Sequence, residues 1–146
     1  MASRTNSGVE RDGHIRVLYV EDSAELAAVV KTHLERRHEG FEVDTVTNPE
    51  RVPALMAREA VDCVVSDQHM PAMTGLDLLA TLRDRGHEQP FILYTSDRSL
   101  TLDGGTGPFE AVSLLCKDVG DSTFSRLATR IRECVGDHQV GEGGTD

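Results

Sequence analysis

Short apolar runs, separated by polar and turn-forming segments, divide this chain at regular intervals. The first run, IRVLYV, is almost wholly apolar, whereas FEVDTV alternates apolar and polar residues in the manner of a strand with one buried face. The other runs are short and end at polar residues, as buried strands do. The pattern predicts five strands: Ile15–Val20, Phe41–Val46, Val61–Ser66, Phe91–Thr95 and Val112–Cys116.

Segments with helical spacing of apolar residues lie between these runs. Ser23, Asn48 and Thr74 precede three of the segments and can cap helices there. In the first segment, one face of the helix is expected to carry Leu26, Val30, His33, Leu34 and Arg37. Pro53 lies inside the second segment, where it shortens the helix, kinks it or belongs to its first turn. The predicted helical segments are Ser23–His38, Pro49–Glu59, Gly75–Arg85 and Asp121–Val135.

The alternation of strands and helices predicts an α/β fold with a five-stranded parallel sheet. Right-handed crossovers make a doubly wound, three-layer sandwich the natural topology. Ser96–Phe109 interrupts the alternation because it contains three glycines and a proline, and each interior glycine costs a helix about 1 kcal/mol. We therefore expect an irregular or shortened fourth helix there, at most a mobile helical turn.

The length of 146 residues corresponds to one domain. No apolar run approaches the roughly 20 residues of a membrane span, and the N-terminus lacks the apolar core of a secretory signal. We expect a disordered leader over 1–14, a folded domain over 15–136 and a flexible tail over 137–146, with the cytoplasm as the default location.

The charge balance is acidic, with a formal net charge of −10. This argues against a nucleic-acid surface, which needs clustered lysine and arginine. Only Lys31 and Lys117 are lysines. Acid excess with scarce lysine suggests a salt-loving prokaryote, a GC-rich genome or ordinary compositional drift. The three cysteines have no metal-binding spacing and are expected to be free, buried thiols.

Charged and hydroxyl side chains follow four of the predicted strands. They are Glu21-Asp22 after the first, Asp67 after the third, Thr95-Ser96 at the end of the fourth and Lys117 after the fifth. Because the carboxyl ends of parallel strands meet at one edge, these groups are expected to converge there.

Three neighbouring carboxylates repel one another by about 4 kcal/mol per pair at 4 Å and an effective dielectric of 20. A divalent cation such as Mg²⁺ would offset this repulsion. Together with Lys117 and the Thr95 hydroxyl, the set suits phosphoryl transfer, with Asp67 as the candidate nucleophile because it follows the middle strand.

This constellation, from Arg16 to Val135, resembles the response-regulator receiver domain of two-component signalling, which has a flavodoxin-like fold. Glu21-Asp22 match the acidic pair, Asp67 the phosphoacceptor, Thr95 the switch hydroxyl and Lys117 the invariant lysine; Met70-Pro71 and Gly75 match the loop after the phosphoacceptor. The resemblance implies Mg²⁺ held by Asp22, Asp67 and the backbone carbonyl of His69, with Glu21 acting through water.

Three positions depart from the family pattern. Asp118 follows the lysine where proline is usual, Leu114 replaces the aromatic residue that rotates on activation, and Ser96–Phe109 replaces the fourth helix. These changes leave the phosphoryl chemistry intact and affect its usual readout.

The resemblance implies a phosphoacceptor that is not an enzyme beyond its own phosphorylation and dephosphorylation. Its partners would be a histidine kinase and either an effector protein or a histidine phosphotransfer protein, with no direct contact to nucleic acid or membrane. One alternative is a receiver-like module that binds partners without phosphorylation. Another, a phosphatase with an aspartyl nucleophile, needs a second acid where the chain has His69.

Overall fold

A computed structural model describes residues 14–96, 112–117 and 122–144. Its strands are β1 (Ile15–Val20), β2 (Phe41–Val46), β3 (Cys63–Ser66), β4 (Phe91–Thr95) and β5 (Val112–Cys116). Its helices are α1 (Ala24–Arg37), α2 (Val52–Arg58), α3 (Gly75–Asp84) and α4 (Ser122–Gly144), with a 3-10 turn at Pro49–Arg51 before α2. The predicted irregular segment after Ser96 lies almost entirely outside the described residues.

All five strands of the described sheet are parallel, in the order β2-β1-β3-β4-β5. The chain moves from β1 outward to β2 and then returns to place β3 on the other side of β1. The order of the strands therefore reverses between β1 and β3, and a crevice opens there at their carboxyl ends. The predicted doubly wound α/β sheet is confirmed.

Two apolar clusters cover the two faces of the sheet. On one face α1 and α4 pack with Val30, Leu34, Leu127 and Ile131 against alternate strand residues. On the other face, α2 and α3 contribute residues such as Met56 to a second cluster. The central strands β1, β3 and β4 are thus covered on both sides, which explains why they are nearly continuous apolar runs, whereas β2 at the edge has exposed residues.

Capping residues fix the starts of the helices close to the predicted points. Ser23 Oγ accepts the Leu26 N–H at 3.3 Å. Thr74 forms a full capping box with Asp77. Pro53 lies in the first turn of α2, where its missing N–H costs nothing.

Several details of the sequence-based prediction are wrong. Leu26 is 51% exposed, because α1 turns Ala27 inward in its place. The helix α4 does not end near Val135 but continues to Gly144. β3 begins at Cys63 and not at Val61, because the carboxylate of Asp62 accepts the Arg16 N–H at the start of the ladder.

The three cysteines all lie among the described residues and form no disulfide, as predicted. Cys63 is fully buried, whereas Cys116 and Cys134 are half-buried. Burial raises the pKa of the Cys63 thiol well above its usual range, so it packs as a small apolar side chain.

Candidate functional site

The site lies where β1 and β3 end side by side. Val20 pairs with Ser66 in the parallel register, and the Asp67 N–H donates to the Val20 carbonyl at 3.1 Å. Glu21 and Asp67 therefore leave neighbouring strands at the same level. The reversal in strand order keeps crossover helices away from this point, so both carboxylates can face the crevice.

Glu21, Asp22 and Asp67 form one acidic cluster. An oxygen of each carboxylate lies within 4.8 Å of the others. Their burial differs: Glu21 is buried, Asp67 is half-buried and Asp22 is exposed. Because Ser23 caps α1, the Asp22 carboxylate is not needed as the helix cap. The cluster reaches from the sheet to solvent and is accessible to an ion.

Glu21 is 2% exposed and is held by three donors. Its carboxylate accepts the Tyr19 hydroxyl at 3.4 Å, the Ser23 N–H at 3.2 Å and the Lys117 ammonium at 3.4 Å. Burial raises the pKa of Glu21, with a further contribution from Asp67, although Lys117 and the Ser23 N–H act in the opposite direction. A buried acid of this kind needs positive charge nearby.

Lys117 supplies positive charge at the inner edge of the cluster. Its Nζ lies 3.4 Å from Glu21 Oε1 and 3.9 Å from Asp67 Oδ2, and 5.4 Å from the centroid of the Tyr94 ring. Its backbone N–H donates to the Thr95 carbonyl at 2.8 Å, which continues the pairing of β4 with β5. One ammonium against three carboxylates leaves the site with an excess of negative charge.

The loop after β3 holds Asp67 in place. The Gln68 N–H donates to Asp67 Oδ1 at 2.8 Å, which leaves Oδ2 directed towards Lys117. The Gln68 side chain is buried, and its Oε1 accepts the Leu76 N–H at 3.0 Å. Gly75 packs directly against this loop, donating its N–H to the Gln68 carbonyl at 2.9 Å.

The acidic cluster fits a hard divalent cation. At a separation of 4.8 Å, two unit charges repel by about 3–4 kcal/mol at an effective dielectric of 20. Carboxylate oxygens are the ligands that Mg²⁺ prefers, and it commonly uses one or two of them together with water. The exposed Asp22 and half-buried Asp67 leave room for such waters.

The remaining predicted residues lie around this centre. Thr95 ends β4, beside β3, and its side chain is fully buried. His69 follows Gln68 and its side chain is exposed. Leu114 is half-buried and packs against the α2–α3 cluster on the face opposite Tyr94 and Leu115.

Sequence reasoning missed the two tyrosines of the site. Tyr19 donates to Glu21, and burial, with the Glu21 charge, raises the pKa of its phenol so that it remains a donor. The face of the Tyr94 ring lies against the Lys117 ammonium. The sequence did contain one indication of these roles. Each tyrosine stands in an otherwise aliphatic strand, Tyr19 two residues before Glu21 and Tyr94 one residue before Thr95.

The comparisons with known proteins agree with this geometry. The family model for the response regulator receiver domain matches residues 17–129. The chain is 34% identical over 134 residues to the two-component response regulator ORR5 of rice, Oryza sativa subsp. japonica, a match that covers 90% of this chain and 98% of the relative. The chain belongs to the response-regulator receiver family. Its place in two-component signalling follows from that membership.

Solved receiver structures share the fold. The receiver domain of a Francisella response regulator superposes with a TM-score of 0.72 at 20% identity and covers 86% of this chain and 99% of its own. The response regulator TrrA of Thermotoga maritima, in complex with Mg²⁺ and BeF, gives a TM-score of 0.69 at 23% identity, covering 82% and 98%. The receiver domain is thus flavodoxin-like, as the sequence predicts.

Across the described residues, no helix combines the length and the apolar character that crossing a membrane requires.

Proposed function

We propose that this receiver domain accepts a phosphoryl group on Asp67 from a phosphohistidine of a histidine kinase, with Mg²⁺ bound at the acidic cluster. The single observation that carries the proposal is the convergence of Glu21, Asp22 and Asp67 within 4.8 Å, with Lys117 at their inner edge. TrrA, a protein of the same fold, was solved with Mg²⁺ and BeF.

Asp67 is the proposed nucleophile. An oxygen of its carboxylate forms a bond to phosphorus as the phosphorus–nitrogen bond of the donor breaks, and the imidazole leaves. Because phosphoryl transfer needs mainly positioning and charge stabilisation, few protein groups suffice. Attack by water on the aspartyl phosphate releases phosphate and regenerates the carboxylate. The domain would catalyse only these two reactions on itself.

The other residues stabilise charge. Mg²⁺, when bound, would supply positive charge to the phosphoryl oxygens, and Asp22, Asp67 and the His69 carbonyl are its proposed ligands, with Glu21 acting through water. Lys117, already near Asp67 Oδ2, would pair with a phosphoryl oxygen. Thr95 would donate its hydroxyl to another.

The output would be docking on a partner: an effector protein, or a histidine phosphotransfer protein that takes the phosphoryl group onward. We assign the receiver domain to residues 15–136, between a leader at 1–14 and a tail at 137–146, and place its action in the cytoplasm, where no direct contact with nucleic acid or membrane is needed. A phosphorylation-independent module would not need both acids and the lysine, and all are present.

Intact mass after incubation with Mg²⁺ and acetyl phosphate tests the proposal. We expect wild type to gain one phosphoryl group and Asp67→Asn to gain none, because the amide is a poor nucleophile. Asp44→Asn, the same change at an exposed residue of β2, should behave as wild type. Equal uptake by Asp67→Asn and wild type would refute the assignment.

A further inference from the structure

Tyr94 connects Lys117 with the start of α4. Its ring is buried, 2% exposed, and the Lys117 Nζ lies 5.4 Å from the ring centroid. At the other end of the side chain, the hydroxyl shares a 2.7 Å hydrogen bond with Thr123 Oγ1, which is also buried. The ring is therefore held at its far end by α4 while its face meets the ammonium.

The Lys117 ammonium needs such a contact because its polar contacts are long. The distances to Glu21 and Asp67 are 3.4 and 3.9 Å, and the lysine side chain is 23% exposed. Four rotatable carbons would let the ammonium move towards solvent. An aromatic face within about 6 Å attracts a cation, and more strongly where water is partly excluded. An aliphatic side chain at this position would offer no such attraction.

We propose that Tyr94 is a positioning residue for Lys117. Its ring keeps the ammonium between Glu21 and Asp67, and its hydroxyl keeps the ring in place through Thr123. The inference rests on the proposed function, because Tyr94 would act on phosphorylation of Asp67 only through Lys117. It also ties the position of the ammonium to the first turns of α4.

The first test compares rates of phosphorylation by acetyl phosphate with Mg²⁺, followed by intact mass. We expect Tyr94→Leu to be slower than wild type by about twofold to thirtyfold, the range that a cation–π contact spans. Tyr94→Phe keeps the ring but loses its hydrogen bond to Thr123, so its rate should fall between those of wild type and Tyr94→Leu. Ile92→Val is the control, because Ile92 is fully buried in the same strand and the same apolar cluster.

The second test observes the lysine directly and needs no phosphorylation. The chain has only two lysines, Lys31 and Lys117, so labelling lysine Cε with ¹³C gives two resonances. The ring current of Tyr94 should separate Lys117 from Lys31 in wild type and in Tyr94→Phe. Loss of the ring current alone shifts the Lys117 resonance in Tyr94→Leu, so the decisive quantity is the order parameter of Lys117 Cε, which should fall in Tyr94→Leu and stay near the wild-type value in Tyr94→Phe. Lys31 serves as the internal standard, because its order parameter should be the same in all three proteins.

The outcomes separate this inference from the proposed function. A Tyr94→Leu variant with the wild-type rate and an unchanged Lys117 order parameter would overturn the role of Tyr94. If wild type takes up no phosphoryl group, the proposed function fails, while the lysine order parameters still decide whether Tyr94 positions Lys117. Should Tyr94→Leu not fold, Tyr94→Met, which is flexible and has no ring, replaces it in both measurements.

Discussion

Gly75 occupies a position at the site where a side chain has no room. A Cβ there would lie 2.5 Å from Leu93 Cδ1 and 2.6 Å from the Asp67 carbonyl oxygen. The second contact is with backbone, which cannot turn aside as a side chain can. The glycine thus allows α3 to start directly against the loop that carries Asp67, and its role is close packing, not an unusual backbone angle.

We expect Gly75→Ala to destabilise the fold by about 1–3 kcal/mol, the usual cost of overpacking. Gly136→Ala is the matched control, because nothing lies within 4 Å of a Cβ built there in α4. Alanine should stabilise that position by up to about 1 kcal/mol. Urea unfolding of both variants checks the difference, and a stabilised Gly75→Ala would contradict the packing account.

The start of α3 anchors the loop of the candidate phosphoacceptor. The N–H groups of Gly75 and Leu76 donate to the backbone and side-chain oxygens of Gln68, respectively. The capping box fixes this first turn: the Asp77 N–H donates to Thr74 Oγ1 at 3.0 Å, and the Thr74 N–H donates to Asp77 Oδ2 at 3.1 Å. A helix terminus therefore determines where Asp67 lies.

Removing the cap should cost stability in proportion to the helix that it starts. We expect Thr74→Ala to lower the free energy of unfolding by about 1 kcal/mol, since it removes the Oγ1 atom that accepts the Asp77 N–H, while the backbone N–H at position 74 still donates to Asp77 Oδ2. Asn48→Ala should cost less, because Asn48 caps only a three-residue 3-10 turn. Urea unfolding at neutral pH measures both free energies. A larger loss of stability for Asn48→Ala than for Thr74→Ala would contradict this prediction.

The sequence was sufficient for elements whose pattern is local. The bounds of β1, β2, β4 and β5 follow from apolar runs, and Glu21, Asp22, Asp67 and Lys117 come together because parallel strands end at one edge. The length of α4 could not be predicted, because a glycine- and glutamate-containing segment gives no helical apolar pattern.

The roles of Tyr19 and Tyr94 depend on distances between strands far apart in sequence. Lys117 meets Tyr94 and Glu21 only because β5, β4 and β1 are placed by the sheet order. No local sequence pattern predicts such contacts, so they could be identified only from the structure.

Across the chain as a unit, the net charge is negative, and the site where the domain is proposed to work has the same sign. The formal net charge is −10, and three acids share the cluster with one lysine. Such a site is destabilising without a cation and stabilising with one, because an ion that binds only the folded state adds RT ln(1 + [L]/Kd) to its stability.

We therefore expect Mg²⁺ to raise the melting temperature of wild type, by the equivalent of about 1.4 kcal/mol when Mg²⁺ is tenfold above its Kd. Without Mg²⁺, Asp22→Asn should have a higher melting temperature than wild type, because one repelling charge is gone. Mg²⁺ should then raise the melting temperature of this variant much less than that of wild type. Asp84→Asn makes the same charge change at the far end of α3, and Mg²⁺ should raise its melting temperature as much as that of wild type. Low ionic strength is needed, because salt screens repulsion between exposed acids. Identical wild-type curves with and without Mg²⁺ would argue against the metal site.

The location of the phosphoryl group tests the central claim most directly. Borohydride reduces an aspartyl phosphate to homoserine, so protein treated first with acetyl phosphate and Mg²⁺ carries a permanent mark at the modified residue. Peptide mass spectrometry should find homoserine in place of Asp67 and unmodified aspartate at Asp22 and Asp62. Homoserine at another position, or none in protein that has gained a phosphoryl group, would contradict the assignment of Asp67 as the phosphoacceptor.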